Sequence, residues 1–434
     1  MRRLCLFVLS LVVGSQVVAA DRPAAGPASD RFFTAKALRI DLYHTGEAKE
    51  ATYSLDEVRA EPFWAGNPRS LIDTLNLGSC ILRVFDIETN AMIYSRGFCT
   101  LFDEWKTTDE ALAGFPRTFH ESLIIPLPKA PVQVRIDMRD PKNVFRPVFD
   151  LVVDPADYHV NTERRFAGFR VRQLLEGGPS PNKVDVVVLG DGYGQNEMHK
   201  LRGDADRLLG ALFNTEPFKS RKADFNVRLI ETVSAESGVD EPREGKYRES
   251  ILGLAFNTFD ITRYMLTFSN KIMRDVAGNV PYDAVIMIAN TKRYGGGGIY
   301  NLYSVGCSNN EFDAYVFTHE FGHAFAALGD EYYSSEVAYN DLYPKGMEPW
   351  EPNITALLDT ANVKWSDLIR RGTPVPTPND SSYAGLVGCF EGAGYSAKGL
   401  YRPCRDCIMF SKKAGPFCPV CRRAIDRMID YYTK

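Results

Sequence analysis

The residues best suited to chemistry lie in one short stretch, His319-Glu320-Phe321-Gly322-His323. On a helix, residues four apart share a face, so the two imidazoles can hold one zinc ion. Glu320 projects beside that face, where its carboxylate can take a proton from a metal-bound water. Residue types and spacing therefore predict a metal site with hydrolytic chemistry, in which Glu320 is the catalytic base.

The third metal ligand comes from a small set of candidates. The other histidines all precede the motif: His44, His120, His159 and His199. A ligand in the usual downstream position is therefore a carboxylate. Asp330 and Glu331 follow Gly329, which we expect to end the helix and turn the chain back. We predict Asp330 as the ligand, with Glu331 as the alternative, and the other carboxylate hydrogen-bonded to a ligand histidine.

A glycine run, Gly295–Gly298, lies just before the motif helix. We expect it to form a mobile turn, because glycine adopts backbone conformations that other residues avoid. Ile299–Val305 would then be either an edge strand that pairs with substrate backbone or a simple connection.

The elements that position the motif alternate between strands and helices after about residue 160. Predicted strands are Val184–Leu189, Phe225–Val233 and Ala284–Ala289, and predicted helices are Gln195–Phe213 and Ile261–Ile272. This alternation is typical of a largely parallel sheet.

The N-terminal part has a different pattern, in which short apolar runs alternate with turns. The predicted strands are Ala37–Tyr43, Ile81–Ile87, Met92–Arg96, Ser122–Pro126, Val132–Met138 and Val148–Val153. We therefore expect an α+β or α/β protein with two domains. A β-sandwich domain covers residues 21–155, and a catalytic domain with a twisted, mostly parallel sheet and an active-site helix covers 156–434.

The positions of the cysteines predict several disulfide bonds. If two strands pair about Thr89-Asn90, Cys80 lies opposite Cys99, within disulfide range. Cys404, Cys407, Cys418 and Cys421 form two C-x-x-C pairs, for which we favour disulfides over a structural zinc site. The remaining pair is Cys307 and Cys389.

The composition and the N-terminal sequence indicate where the protein is located and which partners it does not bind. The chain has 434 residues and a net charge of −4, so it lacks the basic field that nucleic acid requires. Residues 1–20 combine Arg2 and Arg3, an apolar run and a small-residue cleavage site, which is the pattern of a signal peptide. No later stretch is a candidate membrane span. We predict a protein exported to the periplasm, the cell surface or the medium.

The motif and its surroundings resemble the bacterial IgA peptidase family of zinc metallopeptidases. The resemblance rests on residues 319–326 with Asp-Glu-Tyr-Tyr at 330–333, and on segments 390–395, 401–403 and 417–422. It implies a metzincin-like catalytic domain and places Met409 beneath the zinc, like a Met-turn. The chain departs from the long metzincin pattern, since Ala326 and Gly329 stand where that pattern has Gly and His.

The resemblance implies a zinc-dependent endopeptidase that cleaves protein or glycoprotein substrates. Host immunoglobulin is one candidate substrate that the resemblance suggests. Tyr395 and Tyr401 precede Met409 and are candidates to stabilise the oxyanion or simply to pack. The alternative function is an exported adhesin or a glycan- or protein-binding module with an inactive peptidase-like domain. The intact Glu320 argues against that alternative.

Overall fold

The computed structural model describes residues 29–334, 343–413 and 415–434. The predicted signal peptide, residues 1–20, lies outside this part of the chain. Within the described residues, no helix is long and apolar enough to span a membrane.

Two antiparallel sheets form the N-terminal part. Their strands are β1 (Phe33–Gly46), β2 (Ala51–Glu61), β3 (Cys80–Asp86), β4 (Met92–Phe98), β5 (Arg117–Pro128), β6 (Val132–Arg139) and β7 (Phe145–Val153). The strand orders are β2-β1-β5 and β4-β3-β6-β7. Leu38, Ile40 and Leu42 alternate along β1 and pack with Val84 and Ile136 of the other sheet, so the two sheets share one apolar core. This arrangement agrees with the predicted β-sandwich, and the largely polar β2 is an addition to the predicted strands.

Three short helices accompany these sheets: α1 (Ser29–Phe32), α2 (Leu101–Trp105) and α3 (Asp109–Leu112). Thr100 caps α2, and its side chain accepts a hydrogen bond from the backbone N–H of Asp103.

The predicted Cys80–Cys99 bridge is absent, and the predicted register is wrong by one residue. Cys80 pairs with Phe98 of β4, one residue before Cys99. Cys99 therefore falls beyond the end of β4. Both residues are free thiols, as are the other six cysteines after Cys5, so the suggested Cys307–Cys389 bridge and the favoured bridges among Cys404, Cys407, Cys418 and Cys421 are also absent.

The rest of the described chain adds strands and four longer helices. The strands are β8 (Arg170–Leu175), β9 (Val184–Asp191), β10 (Phe225–Glu231), β11 (Leu254–Ala255), β12 (Leu266–Thr267), β13 (Ala284–Ala289), β14 (Gly296–Ile299), β15 (Tyr303–Cys307), β16 (Phe390–Ala393) and β17 (Ser396–Arg402). The helices are α4 (Met198–Leu212), α5 (Asn270–Ala277), α6 (Asp313–Ala326) and α7 (Pro419–Thr433).

A six-stranded sheet of order β14-β15-β13-β9-β10-β8 is the framework of this part. Strands β15, β13, β9 and β10 are parallel, and the strand at each edge is antiparallel. Every residue of β9 is buried, as expected for a parallel strand covered on both faces. Val186 and Val188 face the core that contains α4, α6 and α7, whereas Val187 and Leu189 face the core that contains α5.

Two local predictions are wrong. Ile261–Ile272 is not one helix, because it contains β12 and only the start of α5. The glycine run is not a turn, because Gly296–Ile299 is itself the edge strand β14. A Cβ on Gly298 would lie 2.3 Å from the carbonyl oxygen of Glu320. Glycine is needed here so that the strand can lie directly against α6.

A buried ionic network joins the N-terminal sheets to α5. Arg39 is fully buried and donates to Asp41 at 3.0 Å, to Glu61 at 2.8 Å and to Asp275 of α5 at 2.5 Å. Burial alone lowers the pKa of this guanidinium, but the three carboxylates outweigh burial and raise it. The arginine therefore stays charged inside the protein.

Candidate active site

Helix α6 carries the motif and has an apolar side that fixes its position. Phe317, Phe321 and Phe325 are spaced four residues apart and pack into the core. The helix ends at Ala326, and Ala327 adopts a left-handed conformation with a φ of 56°. The predicted helix stop at Gly329 is therefore two residues late. Glycine is required at residue 329 for a steric reason instead, because a Cβ there would lie 2.5 Å from Ile354 Cδ1.

The two motif histidines turn the same nitrogen towards each other. Their Nε2 atoms are 3.1 Å apart. His319 Nδ1 lies 3.0 Å from the carbonyl oxygen of Ile408, and His323 Nδ1 lies 2.5 Å from that of Leu328. A carbonyl oxygen only accepts, so each Nδ1 carries a proton and donates it. Both Nε2 atoms are thereby directed into the site, the orientation that metal-ligating histidines usually have.

Asp330 completes the group. Its Oδ1 lies 3.1 Å from His319 Nε2 and 3.2 Å from His323 Nε2. Its Oδ2 accepts a hydrogen bond from the hydroxyl of Tyr395. The left-handed Ala327 redirects the chain after α6 and so brings this carboxylate back to the histidines.

Glu331 points away from the histidines. It is fully buried, and its Oε1 accepts from Asn353 Nδ2 at 3.0 Å and lies 3.1 Å from Cys421 Sγ. Its backbone N–H donates to the carbonyl oxygen of Met409 at 2.9 Å. The adjacent carboxylates therefore project to different surroundings, and only Asp330 reaches the motif.

The three converging atoms fit a metal ion. In a tetrahedral zinc site with bonds of about 2.0–2.1 Å, neighbouring ligand atoms lie roughly 3.3 Å apart. The separations of 3.1, 3.1 and 3.2 Å here are close to that value. His319, His323 and Asp330 would hold such an ion.

The pKa shifts of His323 and Asp330 also show that this site attracts positive charge. Burial alone lowers the pKa of His323, but Asp330 and Glu320 outweigh it and raise that pKa to about 9. Burial alone raises the pKa of Asp330, but His323 and His319 outweigh it and hold that pKa well below its usual value. The site therefore stabilises a cation between the imidazoles and the carboxylate.

Glu320 lies beside this group. A carboxylate oxygen of Glu320 lies within 4.8 Å of a nitrogen of each histidine. Burial is the largest influence on this carboxyl and raises its pKa, although the neighbouring histidines act in the opposite direction. A raised pKa suits a group that must first accept and then release a proton.

The site opens into a cleft of about 610 Å³ whose walls come from both parts of the chain. Tyr294, Tyr315 and Tyr332 line it near the motif, with Gly296 and Gly298 of β14 on one side. The segment from Cys99 to Thr107, which includes α2, forms another wall. The cleft is thus lined by both parts of the protein.

Sequence reasoning missed several of these residues. Arg263 donates to the hydroxyl of Tyr332 at 3.2 Å, and Asn353 clamps the Gly329 backbone at 2.8 and 2.9 Å. Of these three residues, Tyr332 alone lies in a segment that the sequence analysis singled out, Asp-Glu-Tyr-Tyr at 330–333. Arg263 and Asn353 come from irregular segments, for which periodicity gives no guide.

The candidate tyrosines and Met409 have separate positions. Tyr395 lines the cleft, whereas Tyr401 is not among its lining residues and, in β17, pairs with Glu391 of β16. Met409 is fully buried, and a Cβ on Gly322 would lie 3.3 Å from its sulfur. Met409 therefore packs against α6 at Gly322, the residue before His323, and its predicted place under the metal stays a prediction.

Comparison with known families agrees with this description. The family model for IgA Peptidase M64 matches residues 172–382 and 379–429, and the model for the Peptidase M64 N-terminus matches residues 29–150. The chain belongs to the IgA peptidase M64 family. Membership of M64 indicates a peptidase, a hydrolase with protein substrates. No curated protein matches the chain.

Proposed function

We propose that this M64 member is an exported zinc-dependent endopeptidase that hydrolyses peptide bonds of protein or glycoprotein substrates. The observation that carries the proposal is the convergence of His319 Nε2, His323 Nε2 and Asp330 Oδ1, with Glu320 alongside. The proposed ligand set is these three residues, and Glu331 is excluded from it because its side chain lies in another contact network.

When bound, zinc would polarise the scissile carbonyl and acidify a water molecule. Glu320 takes a proton from the attacking water and delivers it to the leaving amine nitrogen. Two backbone carbonyls, of Ile408 and Leu328, hold the imidazoles in the required tautomer. Tyr395 fixes the second oxygen of Asp330, so that its first oxygen stays turned towards the histidines.

The cleft supports a polypeptide substrate. Its lining includes residues of β14 and of the α2 segment, so a bound chain can contact both parts of the protein. Gly296 of β14 already exchanges backbone hydrogen bonds with Arg263 and Met265, so the part of this edge strand after Gly296 is the part that can pair with such a substrate. Immunoglobulin A is the first substrate to assay because the family model is named for it.

The decisive experiment replaces Glu320 with Gln, which keeps the shape of the side chain and removes the base. We expect peptide hydrolysis to fall about 10²–10⁴-fold while bound zinc and the melting temperature stay unchanged. A chelator should abolish the activity of the parent protein, and added zinc should restore it. Full activity in the Glu320→Gln protein would refute the proposed mechanism.

Export is tested separately. Expression of the full chain in a bacterial host should yield a mature protein that begins at Asp21 and is recovered outside the cytoplasm. An uncleaved chain in the cytoplasm would contradict this part of the proposal.

A further inference from the structure

Four cysteines meet in a buried cluster on the far side of Asp330 and Glu331 from the motif. Cys404, Cys407, Cys418 and Cys421 are at most 6% exposed. The Sγ atoms of Cys407, Cys418 and Cys421 lie within 4.8 Å of one another, those of Cys407 and Cys421 are 3.7 Å apart, and Cys404 lies beside Cys418. The proposed peptidase reaction uses none of these residues.

The spacing fits shared coordination better than covalent bridges. A disulfide requires a sulfur–sulfur distance of about 2.05 Å. In a tetrahedral zinc site with Zn–S bonds of about 2.3 Å, neighbouring sulfurs lie about 3.75 Å apart. The observed 3.7 Å between Cys407 and Cys421 matches that tetrahedral spacing.

The surroundings favour thiolates and a cation. The backbone N–H of Cys418 donates to Cys407 Sγ at 3.3 Å, and Cys418 is also the N-cap residue of α7, where negative charge is stabilised. Glu331 is fully buried within 4.8 Å of the sulfurs of Cys407, Cys418 and Cys421, and no residue in the described part of the chain hydrogen-bonds to its Oε2. A buried carboxylate next to thiolates is costly unless a cation lies nearby.

We propose that Cys404, Cys407, Cys418 and Cys421 bind a second, structural zinc ion. Two C-x-x-C pairs supply four sulfur ligands, a closed set with no open position for substrate. Glu331 lies beside the set and contacts Cys421, and it also connects through its backbone to Met409.

The second zinc would also position the active site. Cys407 directly precedes Ile408, whose carbonyl oxygen accepts from His319 Nδ1. Holding Cys407 in place therefore holds the acceptor that orients one catalytic histidine.

The test removes the metal site at the motif histidines and measures the zinc bound at the four cysteines. The full-length His319→Ala/His323→Ala protein should keep one equivalent of zinc, and X-ray absorption should show only sulfur neighbours at about 2.3 Å. After denaturation with chelator and without reductant, every cysteine of the mature protein should react with an alkylating agent. Zinc-free protein, or four cysteines that react only after reduction, would overturn the proposal.

Substitutions assign the ligands. In the same double-histidine background, Cys404→Ser and Cys421→Ser should each lose the remaining zinc. The matched control is Cys80→Ser, because Cys80 is an equally buried thiol in the N-terminal sheet. Glu331→Gln should retain the zinc with an unchanged absorption spectrum. Zinc lost in Glu331→Gln but kept in Cys404→Ser would refute the four-sulfur set. Since the first site is absent from all these proteins, the result does not depend on the proposed peptidase mechanism.

Discussion

At the scale of single residues, the central finding is that two adjacent carboxylates have different surroundings. Asp330 faces the motif histidines, and Glu331 faces Asn353 and Cys421. The sequence narrows the third ligand to this pair because no histidine follows His323. The sequence does not show which of the two carboxylates is the ligand. The direction of each side chain depends on the left-handed conformation of Ala327 and on the hydrogen bonds from Asn353, and the periodicity of apolar residues predicts neither.

The first prediction separates the two carboxylates. Asp330→Ala removes an oxygen that lies 3.1 and 3.2 Å from the two imidazoles, so affinity for zinc at the motif should fall by at least about 100-fold. Glu331→Gln is the control and should leave that affinity unchanged. Zinc titration against a competing chelator measures both. Equal losses in the two proteins would contradict the proposed ligand set.

The second prediction concerns Tyr395, whose hydroxyl donates to Asp330 Oδ2. Tyr395→Phe removes that bond and frees the carboxylate to rotate, so zinc affinity should fall about 10–100-fold with little change in melting temperature. Tyr401→Phe is the matched control, because Tyr401 does not line the cleft. An unchanged affinity in Tyr395→Phe would show that the carboxylate is held in another way.

At the scale of elements, apolar patterning predicted the buried strands and α4 well, because burial imposes a strong period on the sequence. It failed where a glycine run forms a strand and where Ile261–Ile272 has helical spacing without being one helix. In both places close contacts between elements, such as β14 against α6, determine the conformation. Sequence periodicity does not encode such contacts.

The third prediction tests the contact between β14 and α6. A methyl group at residue 298 would lie 2.3 Å from Glu320 O and 3.0 Å from His323 Cβ. Gly298→Ala should therefore displace the motif helix, lower stability by about 1–3 kcal/mol and greatly reduce peptide hydrolysis.

The control is Gly210→Ala on α4, where an added methyl meets nothing within 4 Å. It should be slightly stabilising, by about 0.5–1 kcal/mol, and fully active. Thermal unfolding and a peptidase assay measure both proteins. A fully active Gly298→Ala protein would mean that the strand can move away from the helix without cost to the site.

At the scale of the whole molecule, the N-terminal sheets and the second part are joined by buried polar contacts. Besides the Arg39 network, Arg96 of β4 donates to the hydroxyl of Tyr432 on α7 at 2.8 Å. The change in sequence pattern indicated two parts, and the division at residues 155 and 156 remains a prediction. Nothing in that pattern indicated these long-range pairs, because each joins residues that are hundreds of positions apart.

The fourth prediction tests the Arg39 network. Arg39→Met leaves Asp41, Glu61 and Asp275 without their shared cation, so unfolding free energy should fall by about 3–5 kcal/mol. Arg135→Met is the control, because Arg135 pairs with Asp150 at the surface and should cost at most about 1 kcal/mol. Denaturant unfolding compares the two. Similar losses in both proteins would show that the buried network contributes no more than a surface pair.

The wall that the α2 segment adds to the cleft has a consequence for inhibitor selectivity. A compound with only a zinc-chelating group recognises the His-Glu-x-x-His geometry, which many unrelated enzymes share. A compound that extends from that group to the Cys99–Thr107 wall would also contact residues that are not part of the five-residue motif. Selective inhibitors of this enzyme should therefore be sought by elaborating chelators towards its N-terminal part.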